Sequence, residues 1–343
     1  MKKRILAGVC AFACLFAGCS AWQAQSYRGD FFAMDTFMTV TVYADRTDAA
    51  QALEQEIEQR VNGLDQLLSR QRQESELSML NAAGGAAVTV SDETYAALEQ
   101  AAAFAALTDS AYDPTTAPLS DLWGIGSEAP HVPAQADIDA VLSHVGWQKI
   151  VLLPDHQVQL LDGAQVDLGG IGKGWATDAV HALCDAAANG PRVLAQLGGN
   201  ILGYGKNPGR QDGMWVIGVA DPDNTADPIA TVLVSGESVV TSGDYERFFE
   251  ENGKRYHHIF NPATGYPADS GLRSVTVVDE NSTRADALTT ALFVMGLDAG
   301  LAFCAEQNVK AAFVTADKQV YVTESLAPQF AFDGAHAGYS LAA

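Results

Sequence analysis

The chain has 343 residues, with 20 Lys and Arg against 42 Asp and Glu, for a formal charge of -22 at pH 7. So large an acidic excess excludes nucleic acid or an anionic lipid surface as a charge-driven partner. Five cysteines without zinc-like spacing exclude a structural zinc module as well.

Residues 1–18 have the build of an export leader: basic "MKKR", apolar "ILAGVCAFACLFA", then "AGC" ending at Cys19. Small residues directly before a cysteine point to lipoprotein processing, with the lipid on Cys19. An ordinary cleaved signal or an uncleaved anchor is the alternative, although the stretch is short for a spanning helix. Residues 19–30 are then a lipidated tether. It would hold one domain, residues 31–330, to a membrane of the bacterial envelope, facing the periplasm or the exterior. Only Cys184 and Cys304 remain in the domain, as buried thiols or a single exported disulfide.

Along the domain, "TFMTVTVYA" (36–44) alternates as a half-buried strand, and 47–68 carries Leu53, Ile57, Val61, Leu64 and Leu68 at helical spacing. A second helix covers 92–107 behind Ser91 or Asp92. "KIVLL" (149–153) and "QVQLL" (157–161) form a hairpin, and 164–168 reads as a short strand. An alanine-rich helix follows over 175–188. Strands are expected at 192–197, 215–220, 230–236, 237–242, 256–260 and 273–279, then helices at 283–296 and 298–306, and two closing strands. Hairpin-linked strands with helices in blocks give an α+β fold, mainly antiparallel sheets with flanking helices.

Three segments carry chemistry. "DLGGIGKGWATD" (167–178) fits neither a P-loop nor a dinucleotide fingerprint. It still sets Lys173 among glycines where a strand meets a helix N-terminus, and free amides and the macrodipole favour an anion there. A tight turn with Lys173 in solvent is the alternative. "TRADALTTALFVMG" (283–296) stacks Asp286 and Thr290 on one helix face, either as hard oxygen ligands for Mg²⁺ or as a cap and a back-bonding hydroxyl. In "YHHIFNPATGYP" (256–267), strand alternation sends His257 and His258 opposite ways, so at most one serves a site. The loops "LGGNILGYG" and "VVTSGDYER" add close-approach glycines and the hydroxyls of Thr241 and Ser242.

In order, "MDTFMTV", "SRQRQESELSMLN", "AYDPTTAPLSDLWG", "DLGGIGKGWATD", "LGGN", "TSGDYER", "HIFNPATGYP" and "ADALTTALFVMG" resemble the ApbE family, FAD:protein FMN transferases also called flavin-trafficking lipoproteins. The resemblance runs from about Met34 to Thr323 and implies a single T-fold-related catalytic domain. It also implies FAD as substrate, with Mg²⁺ assisting transfer of the FMN half to a threonine of an exported acceptor (Rnf/Nqr-type subunits or similar) and release of AMP. By position it implies Asp286, Thr290, Thr289 and the Gly172 carbonyl as metal ligands. Met34, Ala111, Tyr112, Asp113, Gly169, Trp175 and Ile259 match flavin-contact positions, Lys173 and Ser242 assist, and His258 matches the family's reactive histidine. Cleavage of FAD to FMN and AMP, or a non-catalytic tethered FAD carrier, are the competing readings. Two positions depart from the family pattern: Asp35 stands where Gly is usual, and Gln71 where an aromatic residue is. Both bear on FAD affinity rather than on reaction type.

Overall fold

Strand pairing begins at the first residue that the computed structural model describes. It covers residues 25–342 apart from Asn189, so the leader and Cys19 lie outside the described residues. Gln25–Ala33 and Thr36–Ala44 pair antiparallel around Met34-Asp35. Both turn residues have positive φ (49° and 58°), the twist that a two-residue hairpin demands. Residues 25–30, read from the sequence as tether, therefore belong to a strand at the edge of the main sheet.

That sheet has nine strands whose spatial order follows the chain: Gln25–Ala33, Thr36–Ala44, Arg192–Leu197, Asn200–Tyr204, Ser238–Gly243, Leu272–Asp279, Lys310–Thr315, Gln319–Val322 and Ser340–Leu341. All neighbours are antiparallel except the last pair. The ordered strands thus extend past residue 330. The helices are α1 (Thr47–Leu68), α2 (Glu76–Ala82), α3 (Asp92–Leu107), α4 (Ala117–Trp123), α5 (Gln135–Leu142) and α6 (Gly172–Ala186), all inserted between the second and third strands. After the sixth strand come α7 (Ser282–Met295) and α8 (Leu297–Gln307). None of the helices among the described residues is long and apolar enough to cross a membrane.

Alternation decides what each face covers. Met38, Val40 and Val42 point into one core with Ile57, Val61 and Leu64 of α1 and Val180 of α6. Each such burial stabilises by about 1.5–3 kcal/mol. Farther along the sheet, Val275, Val277, Phe313 and Ala311 meet Leu288, Leu292 and Phe293 of α7. The opposite face is covered near Tyr43, Leu194 and Val239 by a three-stranded sheet whose Trp215, Ile217 and Val232 are buried against it. Cys184 and Cys304 are buried free thiols, and burial pushes both up to about 12.

Two local expectations change. Residues 164–168 join no strand ladder. Instead the Asn81 side chain takes the partner's place: its Nδ2 donates to the Val166 carbonyl (2.8 Å), and its Oδ1 accepts from the Val166 N–H (2.7 Å). Helix α6 starts at Gly172 rather than Trp175, with the Gly172 N–H donating to the Leu168 carbonyl at 2.7 Å. Two of the glycines expected in a loop are therefore inside the first helical turn.

Candidate active site

The first turns of α6 and α7 pack against each other, and glycine makes that possible. A Cβ on Gly174 would stand 2.4 Å from the Ser282 carbonyl oxygen and 2.6 Å from the Thr283 Cα. Across this contact the helices exchange carboxylates. The Gly174 N–H donates to Asp286 Oδ2 at 2.8 Å. In return Asp178 accepts from the Ser282 N–H (2.7 Å), the Thr283 N–H (2.9 Å) and the Thr283 hydroxyl (2.5 Å). Each helix thus caps the electropositive start of the other. Burial pushes the Asp178 carboxyl above the ordinary range, and these three donors pull it back. Asp178→Ala would leave them unpaired and is expected to lower unfolding stability by about 1–3 kcal/mol in urea titration. A change under about 0.5 kcal/mol would contradict the capping role.

Asp286 is 3% exposed and sits where several groups converge. Desolvation raises its pKa, opposed by the Lys173 ammonium, the Gly174 amide and a hydrogen bond from Asn200. Lys173 Nζ is 4.0 Å from Asp286 Oδ1, an ion pair longer than a hydrogen bond. The Lys173 stem runs beside Gly198, where a Cβ would meet Lys173 Cδ at 3.2 Å and the Thr36 methyl at 3.1 Å. One turn along α7, the Thr289 hydroxyl donates to the Asp286 carbonyl (2.8 Å) and shares a 2.8 Å bond with Ser242. Thr290 lies across from Gly170, whose added Cβ would be 3.7 Å from Thr290 Oγ1 and 2.8 Å from the Tyr112 ring.

His258 completes the group. His257 turns inward, its Nε2 at 3.0 Å from the Ala268 carbonyl and its ring edge-on to Phe293. His258 faces the other way, as strand alternation requires. Its N–H donates to the Arg247 carbonyl at 3.1 Å, and its Nδ1 lies 3.3 Å from the same oxygen. A carbonyl only accepts, so Nδ1 carries the proton and Nε2 keeps its lone pair. Desolvation first, then the charges of Arg247, His257 and Lys173, pulls this imidazole down to about 3. Arg247 also pairs with Asp35 at 2.9 Å, tying the first hairpin turn to the histidine segment.

The structure therefore brings together Lys173, Ser242, Asp286, Thr289, Thr290 and Tyr112, with His258 in the field of Lys173 and Gly172 opening α6. The other candidates are placed differently. Trp175 Nε1 donates to Glu93 at 2.5 Å, and the ring lines a groove of about 210 Å³ with Arg60, Gln100, Asp178 and Thr283. Neither Lys173, Asp286 nor His258 lines that groove. Both Asp113 oxygens are engaged, with Thr115 and with the Trp147 N–H. The Ile259 side chain is core, and Gly169 is exposed with its N–H on Asp167. Ala111 packs at the core margin, and Met34 stands in the hairpin turn. Asn200, Asp178 and Arg247 were not singled out from sequence. Each is nonetheless the last residue of a motif quoted above: "LGGN", "DLGGIGKGWATD" and "TSGDYER".

The donors suit a hard cation. Among the described residues no three His, Cys, Asp or Glu cluster as ligands. A metal here would rest on one carboxylate with hydroxyl and backbone oxygens, a set suited to Mg²⁺. Buried Asn200 Oδ1 and the Tyr112 hydroxyl lack partners beside this carboxylate, and a Cβ on Gly172 would meet nothing within 4 Å. Unsatisfied polar groups and an open glycine face leave a place for a polar ligand.

Residues 34–313 match the model of the ApbE family. FAD:protein FMN transferase of Treponema pallidum is 37% identical over 313 residues, covering 86% of each chain. The enzyme of that name from Klebsiella pneumoniae is 36% identical over 278 residues, 80% of this chain and 85% of its own. Among solved structures, the ApbE protein of Thermotoga maritima superposes with a TM-score of 0.84 at 32% identity, covering 89% of this chain and 99% of the other. The flavin transferase ApbE of Vibrio cholerae gives 0.79 at 28% identity, covering 90% and 100%. With its motifs in order and its α6–α7 site assembled on the same fold, the chain belongs to the ApbE family.

Proposed function

We propose that this chain transfers the FMN moiety of FAD to a threonine hydroxyl of exported redox proteins, Rnf/Nqr-type subunits or similar, and releases AMP. The relatives' shared activity supports FMN transfer to protein. One observation carries the reading to these residues: a buried carboxylate, a lysine and the start of α6 converge, with the His258 imidazole in the field of that lysine. Lys173 and the helix amides grip the pyrophosphate. Asp286, Thr289, Thr290 and the Gly172 carbonyl would hold Mg²⁺, which when bound would offset the negative charge of the pyrophosphate and the departing AMP.

In the transfer, the threonine oxygen forms a bond to the FMN phosphorus while the bond from that phosphorus to the bridging oxygen breaks. AMP leaves with the bridging oxygen and its electron pair. The threonine proton passes to His258 Nε2, whose lone pair is free because Nδ1 is turned to the Arg247 carbonyl. A lipid on Cys19 would keep the domain on the envelope membrane that carries its acceptors.

Incubating the chain with FAD, Mg²⁺ and an acceptor domain bearing the family's target threonine motif tests this. Covalently fluorescent acceptor with stoichiometric AMP is the expected result. Free FMN with AMP and no labelled acceptor would instead make the chain a hydrolase, and intact bound FAD a carrier. The pH profile adds a second check. Because the His258 pKa is depressed, the base form persists well below the ordinary value of about 6.5. The acid limb of kcat/KM is expected below pH 6, and a limb centred at or above 6.5 would contradict the base assignment.

A further inference from the structure

Phe37 is 82% exposed and Phe32 54%, and the two are cross-strand partners at the tip of the first hairpin, packed edge-to-face with centroids 5.2 Å apart. Single exposed aromatics are ordinary, but a contacting pair beside a site marks a surface that something covers. Thr36 turns its methyl toward Gly198 and the Lys173 stem. Alternation then sends Phe37, with Phe32, to the face of the sheet opposite Gly198 and the Lys173 stem. That face is covered near Tyr43, which meets Trp215 at 6.1 Å, but Tyr43 is at the far end of the strand from Phe37. The tip remains joined to the site: Asp35 between the two phenylalanines pairs with Arg247, whose carbonyl holds His258.

We propose that the Phe32–Phe37 pair is the docking surface for the protein that receives FMN, seating an apolar side chain close to the acceptor's threonine. The proposal rests on the transferase reading above. A protein substrate must reach the site while FAD occupies it, and these rings are an exposed apolar surface joined to that site through Asp35 and Arg247. The membrane fits less well. The described chain enters this hairpin at Gln25, about 23 Å of strand from Phe32. A lipid on Cys19 would therefore tether the opposite end, and a charge of -22 disfavours anionic lipid. Nor does a second copy fit, since two phenylalanines a side bury far less than the roughly 1,200 Å² of a stable interface.

The test compares the unaltered chain with Phe37→Ser, Phe32→Ser and the conservative Phe37→Leu, using FAD, Mg²⁺ and the target-threonine acceptor domain. The serine variants are expected to raise the acceptor KM about tenfold. The leucine variant should raise it less, with kcat and FAD affinity unchanged in all three. Hydrogen exchange at residues 32–37 should slow when acceptor is added. An unchanged acceptor KM overturns the proposal while leaving the transferase reading intact. So does a loss of FAD affinity, a loss of binding to phosphatidylethanolamine–phosphatidylglycerol vesicles at unchanged KM, or a dimer that the serine variants dissociate. Failure of the unaltered chain to label the acceptor overturns both.

Discussion

His258→Ala is expected to slow flavinylation of the acceptor by about 10²–10⁴-fold while leaving FAD affinity within about twofold. The effect is expected to be large because the proposed task of the imidazole, taking the threonine proton, needs the neutral form that its surroundings favour. Little else depends on the side chain. Among the described residues its side chain makes a single hydrogen bond, the long one from Nδ1 to the Arg247 carbonyl, so its loss should cost no more than about 1 kcal/mol of stability. In-gel fluorescence of the labelled acceptor measures the rate, and quenching of free FAD measures affinity. Unchanged transfer would remove His258 from the mechanism; lost affinity would make it a binding group instead.

Asp286→Asn should be comparably damaging, with a fall of about 10²–10³-fold and loss of the response to added Mg²⁺. The amide keeps an acceptor for the Gly174 N–H but gives up the charge that faces Lys173 and that the proposed metal would need. Stability should move the other way. The folded pKa of Asp286 is raised above 3.8, so the unligated fold pays for ionising this carboxyl. The penalty grows as pH rises from 3.8 toward the folded pKa and is complete above it. At neutral pH without metal, Asp286→Asn is therefore expected to melt at the same temperature or higher, a function-for-stability exchange familiar at active sites. Calorimetric titration with Mg²⁺ and a melting curve check the two halves. Full activity of the unaltered chain in chelator would contradict the metal assignment.

Much of this was legible in the sequence where the determinants are local. The apolar stripe from Leu53 to Leu68 gave α1 its full length, and alternation separated His257 from His258 before any contact was known. The Asp286–Thr290 spacing left α7 open between a metal site and a cap with a back-bonding hydroxyl. What stayed hidden depends on contacts between distant segments. Asp178 looks like an ordinary helix residue until α7 arrives 104 positions later to be capped by it. The strand expected at 164–168 has the right composition, but a side-chain amide from residue 81 occupies its partner's place. Glycine's low helix propensity disfavours a helix starting at Gly172, yet the close approach at Gly174 requires glycine there. Trp175 offered an aromatic face next to the glycine run, but its bond to Glu93 turns the ring into another groove.

The most direct measurement is a crystal structure with FAD and Mg²⁺ bound. The pyrophosphate is expected between the start of α6 and α7, with Lys173 Nζ and an α6 amide within about 3.2 Å of phosphate oxygens and Asp286 ligating the ion. His258 Nε2 should face the FMN phosphorus. A diphosphate bound instead in the Trp175–Arg60 groove, with Asp286 still closed against Gly174 and far from any phosphate, would contradict the assignment of this site.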